Sequence, residues 1–229
     1  MQNLSDSRDC AFEAFITNLG KYNEGELVGE WVKFPITTEE MQEVFKRIGI
    51  NHRYEELFIT DYDCTDTNLS KVLGEYESLS ELNYRANQMM ELDESESFWE
   101  SVLDLGEYTG SVRDLINLTE NMDCFDFLPN VNNDYDLGYY WIEESGCYDT
   151  KAMGALSNYI DYAGFGRDIQ MDESGLFTDH GYIRMNGSHF VDVYDGKIES
   201  IPEEYRITRN AQPARDVTGK AERNQDSER

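Results

Sequence analysis

The sequence predicts an α+β fold in three successive parts, two small α+β domains flanking a helical domain, with an acidic surface throughout. Three observations predict it. Segments mixing β-branched, aromatic and apolar residues lie toward both ends of the chain. The stretch between them carries apolar stripes at helical spacing. Acids outnumber bases 47 to 19, for a net charge of -28. With 39% hydrophobic and 13% aromatic residues, the chain is too rich in large apolar side chains to be an acidic disordered segment, so it folds despite its charge. Its 229 residues suffice for one large domain or two to three small ones.

The N-terminal α+β domain is expected over residues 1–72. "AFEAFITN" (11–18) and "ELVGEWVKF" (26–34) read as strands, joined by a turn in which Gly20 and Gly25 supply positive φ. Pro35 ends the second strand. Thr37 with Glu40 three residues on is a capping box, and Met41, Val44, Phe45 and Ile48 follow at helical spacing up to a stop at Gly49. "YEELFITDYD" (54–63) is the third strand. Over 73–122 the period becomes helical: Leu79, Leu82, Ala86 and Met89/Met90 form one stripe, Phe98, Val102 and Leu105 a second, and Val112, Leu115 and Ile116 a third. Ser97 with Glu100, and Ser111 with Asp114, place the starts of the last two helices.

The second α+β domain is expected over 123–201. "DCFDFLPNV" reads as a strand, "NDYDLGYYWIEESG" as an Asp-capped helix closed by Gly146, and "GALSNYIDYAGFG" as another helix. "GYIRM" and "HFVDVY" read as a hairpin turning at Asn-Gly. Residues 202–229 have few large apolar side chains and balance six acids against six bases, so this stretch reads as a disordered tail. The whole excess of acid therefore lies in the body. Between Glu55 and Glu144 there are 23 acids and only three bases, Lys71, Arg85 and Arg113.

Several chemistries fail on spacing. The glycines of "NLGKYNEGELVGEW" lead from strand to strand and fit no phosphate-binding pattern. A calcium loop counted from Asp61 would need glycine and glutamate where Asp66 and Val72 stand. His52, His180 and His189 form no metal-binding spacing, and no nucleophile motif surrounds any cysteine, so the expectation is no enzyme, no catalytic residue, no metal and no cofactor. No apolar run could span a membrane, no signal segment begins the chain, and Cys10, Cys64, Cys124 and Cys147 read as reduced thiols; a cytoplasmic location is expected.

What remains is the charge. A solvated helix face normally mixes signs, because i,i+4 Glu–Lys pairs help and like charges repel; in the middle of this chain the lysines are missing. An acid every fourth helical residue places a carboxylate roughly every 6 Å. Duplex DNA carries one charge per about 1.7 Å, so a net -28 corresponds to roughly 14 base pairs, on the order of 48 Å. Such a surface repels nucleic acid and anionic membranes and attracts basic surfaces.

Four ordered blocks then carry a resemblance: "ITNLGKYNEGELVGEWVKFP" (16–35), "LTENMDCFDFLPNVNNDYDLGYYWIEESG" (118–146), "NYIDYAGFGRDI" (158–169) and "FTDHGYI" (177–183). Together they resemble the ArdA family of antirestriction proteins over about residues 12–195. The resemblance implies an elongated, curved homodimer, each chain of three domains, carried on mobile genetic elements such as conjugative plasmids and transposons. It implies a DNA mimic that occupies the DNA groove of type I restriction–modification enzymes, at the methyltransferase core. The chain continues some thirty residues beyond the family's usual end. The acids expected to stand in for phosphates are Glu24, Glu26, Asp61, Asp63, Glu91, Glu94, Glu96, Asp104, Asp134 and Asp136. The family's dimer contact lies in the third domain, which makes Phe125, Phe127, Tyr139 and Tyr140 the candidate seam, with a core role as the other reading of those rings. The alternative function is an acidic interaction module for another basic DNA-binding protein.

Overall fold

A computed structural model describes residues 10–64, 73–92 and 94–208. The chain is α+β, with two three-stranded antiparallel sheets. In the first sheet β1 (Phe12–Asn18) lies between β2 (Gly29–Phe34) and β3 (Leu57–Asp63). Phe15 stands opposite both Trp31 and Asp61, and a bulge follows between Phe15 and Ile16. The pleat puts Phe12, Ala14, Ile16, Val32 and Phe34 on one face, all at most 2% exposed. Onto that face packs α2 (Thr38–Arg47), which buries Met41, Val44 and Phe45. Its Thr37–Glu40 capping box forms as expected, and Gly49 stops it at φ +76°.

The β1–β2 connection departs from a simple turn. Residues Leu19–Asn23 form a short helix α1, capped by the Asn18 side chain. Gly25 takes the expected positive φ of +88°, but Gly20 sits inside the helix against Tyr54, where a Cβ would stand 2.5 Å from the ring. Gly29 has a different use. A Cβ there would lie 2.6 Å from the Phe15 ring and 2.7 Å from the Ile16 carbonyl oxygen, so the glycine makes room for Phe15 on the sheet face.

Three helices follow: α3 (Leu79–Glu91), α4 (Glu96–Leu105) and α5 (Val112–Thr119). Their stripes fall where the spacing puts them, with Leu82, Ala86, Val102, Leu115 and Ile116 all at most 1% exposed. The cap of α4 is Ser95 rather than Ser97, its side chain accepting from the Phe98 N–H, and Glu100, expected to complete a box with Ser97, is paired with His180 Nε2 at 2.7 Å. Their interior is continuous with that of the first sheet and reaches Phe125, Ile183, Tyr194 and Ile201, so the three predicted parts share one buried cluster.

The second sheet is ordered β4 (Phe125–Leu128), β6 (Gly181–Met185), β5 (Leu176–Thr178). Between β4 and β5 run α6 (Asp134–Tyr139), continued by a π turn over Tyr140–Glu144, and α7 (Tyr162–Glu173). The cap of α6 is Asn133, not an aspartate, and the "GALSNYIDYAGFG" helix begins only at Tyr162, behind an Asp161 cap. Residues Thr150–Tyr159 form 3₁₀ turns broken at Gly154, with none of them buried. A second, smaller core of Val131, Leu137 and Tyr182 lies here.

Two expectations near the C-terminus are corrected. "HFVDVY" does not pair with β6. It runs extended past α5 and bonds to two asparagine side chains one helical turn apart. Asn117 accepts from Tyr194 N–H at 2.7 Å and donates to Tyr194 C=O at 3.1 Å, and Asn121 does the same with Val191 at 2.8 and 2.9 Å. A side-chain amide presents the same donor and acceptor as a peptide, so the two asparagines act as a substitute strand edge. The tail also begins later than residue 202. Ile201 is fully buried, Tyr205 stacks on Tyr84 at 5.5 Å, and the backbone of 205–208 is bonded by Asn83, Thr38, Ser80 and Gln42. Residues 209–229 lie outside the described part of the chain.

Candidate functional site

The ten acids singled out from the sequence fall into three settings. Glu24 and Glu26 flank the end of α1. Glu24 accepts from the Tyr54 hydroxyl at 2.8 Å and from Arg53 at 3.4 Å, and Glu26 stands 3.6 Å from Lys21. Part of the loop's charge is therefore balanced within the loop. Asp61 and Asp63 lie on the outer face of β3, in register with Phe15 and Glu13, and both are exposed. Glu91 ends α3, Glu94 and Glu96 bracket the Ser95 cap of α4, and Asp104 is near the end of that helix; all four are exposed. The positive end of the α4 dipole favours Glu94 and Glu96 there, while Asp104 sits at the unfavourable end.

Asp134 and Asp136 serve the fold. Asp134 faces Arg167 at 3.4 Å, and Asp136 accepts from the Asn132 N–H at 3.2 Å and from the Asn133 side chain at 2.8 Å. These bonds occupy carboxylate lone pairs that a basic partner would otherwise use. No ion pair ties Asp61, Asp63, Glu91 or Glu94 to a basic group among the described residues.

Of the three bases of the acid-rich middle, one is buried and one is exposed beside an acid. Arg85 is fully buried, its guanidinium 4.5 Å from the Trp99 ring, and Arg113 faces Asp192 at 3.6 Å and the Tyr194 carbonyl at 3.3 Å. Lys71 lies outside the described residues. Burial of Arg85 removes one positive charge from the outward surface of the helical middle.

The four candidate seam aromatics do not share one surface. Phe125 is 5% exposed inside the chain's own core, Phe127 stacks on Phe98 at 5.6 Å, and Tyr140 packs with Trp141 against the smaller core. Only Tyr139 is exposed, next to Tyr135 and Tyr162. Sequence reasoning missed Tyr162, whose hydroxyl donates to Glu143 at 2.6 Å; that bond holds its pKa up at about 12. It also missed the exposed side chains of Met153, Leu156 and Tyr159 on the 3₁₀ segment. A run of 148–159 with apolar residues and no regular period carries no signal that its apolar groups stay outside.

An open cleft of about 690 Å³ lies between the start of α4 and β4, lined by Phe98, Phe127, Trp141, Arg184 and Glu94 among others. Arg184 is held there by Glu173 and by Asp126 at 2.7 Å, and it lies 5.1 Å from the Trp141 ring. Burial raises the pKa of Glu173 even though Arg184 pulls against it. Among the described residues no group of three or more His, Cys, Asp or Glu is arranged to hold a metal ion; Cys124 is buried and Cys147 exposed. No helix there is long and apolar enough to cross a membrane.

Two antiparallel sheets with helices between them, in a chain of net charge -28, define a small acidic α+β protein. The family model of the antirestriction protein ArdA matches residues 14–184, and the chain belongs to that family. A search of curated proteins gives no match.

Proposed function

We propose that this chain inhibits type I restriction–modification enzymes without catalysis, by standing in for DNA in the groove of the methyltransferase core. Antirestriction follows from family membership; the DNA-mimic mode rests on one observation. From Glu55 to Glu144 the chain sets 23 acids against three bases, and of those three Arg85 is buried and Arg113 faces Asp192. The outward carboxylates Asp61, Asp63, Glu91, Glu94, Glu96 and Asp104 would meet the Lys and Arg groups that otherwise contact phosphate. No single carboxylate reads a base, so the affinity is spread over many weak contacts.

The active form in this reading is an elongated homodimer of three-domain chains in the cytoplasm, joined through the third region. The exposed Leu156 and Tyr159, at 68% and 84%, favour that region as a seam, because apolar groups left this open find cover in a second copy. A competition titration tests the function. A methyltransferase core bound to labelled duplex is titrated with the protein at low and moderate salt. Stoichiometric displacement that weakens with salt is expected. Absence of displacement by a folded, dimeric sample would sink the proposal, and capture of a different basic DNA-binding protein instead would favour the interaction-module alternative.

A further inference from the structure

The first sheet has one face covered by α2 and one face open, and the open face is not a plain solvated surface. Phe15 lies on the central strand β1, and Trp31 of the edge strand β2, 44% exposed, stands against it edge-on at 5.4 Å between ring centroids. Gly29 leaves open the space that the edge of the Phe15 ring takes, 2.6 Å from where a Cβ would stand. At one end Tyr22 and Tyr76 cover Phe58, at 5.1 and 6.2 Å. Two cross-strand rows follow from the register. The first is Trp31, Phe15, Asp61; the second, two residues along, is Lys33, Glu13, Asp63. Each row spans three strands, roughly 10 Å. Three carboxylates thus border the two rings, and Lys33 is the one base set in these rows.

An aromatic floor with carboxylates at its edge is complementary to one side chain above others. A guanidinium is planar, stacks on aromatic faces and takes a carboxylate in a two-pronged bond, whereas an ammonium is a strongly hydrated point charge. We propose that the open face of the first sheet is the arginine-accepting contact of this protein. The stem of an arginine from the basic partner lies along Trp31 and Phe15, and its head reaches Asp61, with Asp63 beside it, while Glu13 faces Lys33 at 3.9 Å. This rests on the DNA-groove reading for the partner's identity, and it deepens that reading. Most of the surface mimics the charge of DNA, but this face adds an anchor that DNA does not have, a stacking surface set among its charges. Energy in protein interfaces concentrates at such tryptophan and arginine anchors, so Trp31 should matter out of proportion to its area.

The competition titration with the methyltransferase core decides it, using the full chain as parent, Trp31→Val, Trp31→Phe and the pair Asp61→Asn, Asp63→Asn. Trp31→Val keeps a strand-forming side chain while removing the ring, and circular dichroism checks the fold of each variant. Trp31→Val is expected to weaken displacement roughly 10- to 30-fold with the salt dependence unchanged, Trp31→Phe to recover most of the loss, and the double asparagine variant to flatten the salt dependence. Parental displacement with Trp31→Val equal to the parent overturns the anchor while leaving mimicry standing. A parent that displaces no DNA overturns mimicry and, with it, this partner. Sedimentation of the same samples covers the remaining occupant: if Trp31→Val converts a dimer to a monomer, the face belongs to a second copy and the arginine assignment is wrong.

Discussion

The α6–α7 crossing makes the sharpest prediction, because two glycines face each other there at backbone distance. A Cβ on Gly138 would stand 1.9 Å from the Tyr162 carbonyl oxygen, and one on Gly166 would stand 1.8 Å from the Asp134 carbonyl oxygen. An unstrained carbon–oxygen contact is about 3.3 Å or more, so either alanine must drive the helices apart by more than an ångström. Neither obstacle is a side chain that could swing aside. Overpacking a tight site costs typically 1–3 kcal/mol and more where backbone must move, while alanine's better helix propensity returns about 1 kcal/mol. We expect Gly138→Ala and Gly166→Ala each to lose about 2–3 kcal/mol. The double variant should lose little more than either single one, because once the helices separate the second methyl enters space already opened. Urea unfolding followed by circular dichroism, with amide exchange across residues 134–173, gives the cycle. Either single variant within about 0.5 kcal/mol of the parent, or an additive double, would refute the argument from backbone contact. The crossing also sets Tyr135 and Tyr139 against Tyr162, so the same variants should disturb that exposed aromatic group.

Three further outcomes follow from the polar interior. Asn117→Ala leaves the buried Tyr194 N–H without its acceptor and should cost about 2–3 kcal/mol in urea unfolding; Asn121→Ala should cost less, since Val191 is 49% exposed and water replaces the lost bonds. Asn83→Ala removes the bridge between the Ile36 N–H and the Tyr205 carbonyl and should speed tryptic cleavage after Arg206 roughly tenfold or more; unchanged cleavage would mean that the 201–208 strap is held elsewhere. The bond from Lys197, with help from the 197 N–H and Ser200, holds the Asp195 carboxyl down at about 2. A depressed carboxylate contributes its stabilisation above its unfolded value and loses it as pH falls through the folded one. Carboxyl resonances should therefore show Asp195 still ionised at about pH 3, and Lys197→Ala should return it to the ordinary range.

Much of the fold was legible where a local rule and burial agreed. Thr37 and Glu40 cap each other as their spacing requires, and the stripe behind them faces the first sheet. What was not legible came from partners distant in the chain. Nothing local distinguishes Ser97 from Ser95 as a cap, and nothing local announces that Glu100 pairs with His180, eighty residues away. The 189–194 segment has the composition of a strand, yet its partners are the side-chain amides of Asn117 in α5 and Asn121 just beyond it, which no strand period announces. For the candidate site, the density of acid was plain in the composition, but the division of labour was not. Asp134 and Asp136 look the same in sequence as Asp61 and Asp63, and only the packing shows the first pair engaged by Arg167 and the Asn132–Asn133 turn.

That division explains how so acidic a chain can fold and still present a charged surface. Four bases of the body are set at junctions between elements: Arg47 against Glu30 across α2 and β2, Arg184 between Asp126 and Glu173, Arg167 against Asp134, Arg113 against Asp192. The Arg47 bond is strong enough to hold the Glu30 carboxyl below its ordinary range. Exposed pairs of this kind contribute little energy each, so their larger effect is on where charge remains. Every base turned toward an acid at a junction is one fewer on the outward face of the helices. The acids left outward repel one another, and that repulsion is a standing cost to stability which interspersed lysines would remove. A chain selected for stability alone would carry them. Their absence from the middle of this chain marks the outward carboxylates as the part selected for something other than the fold.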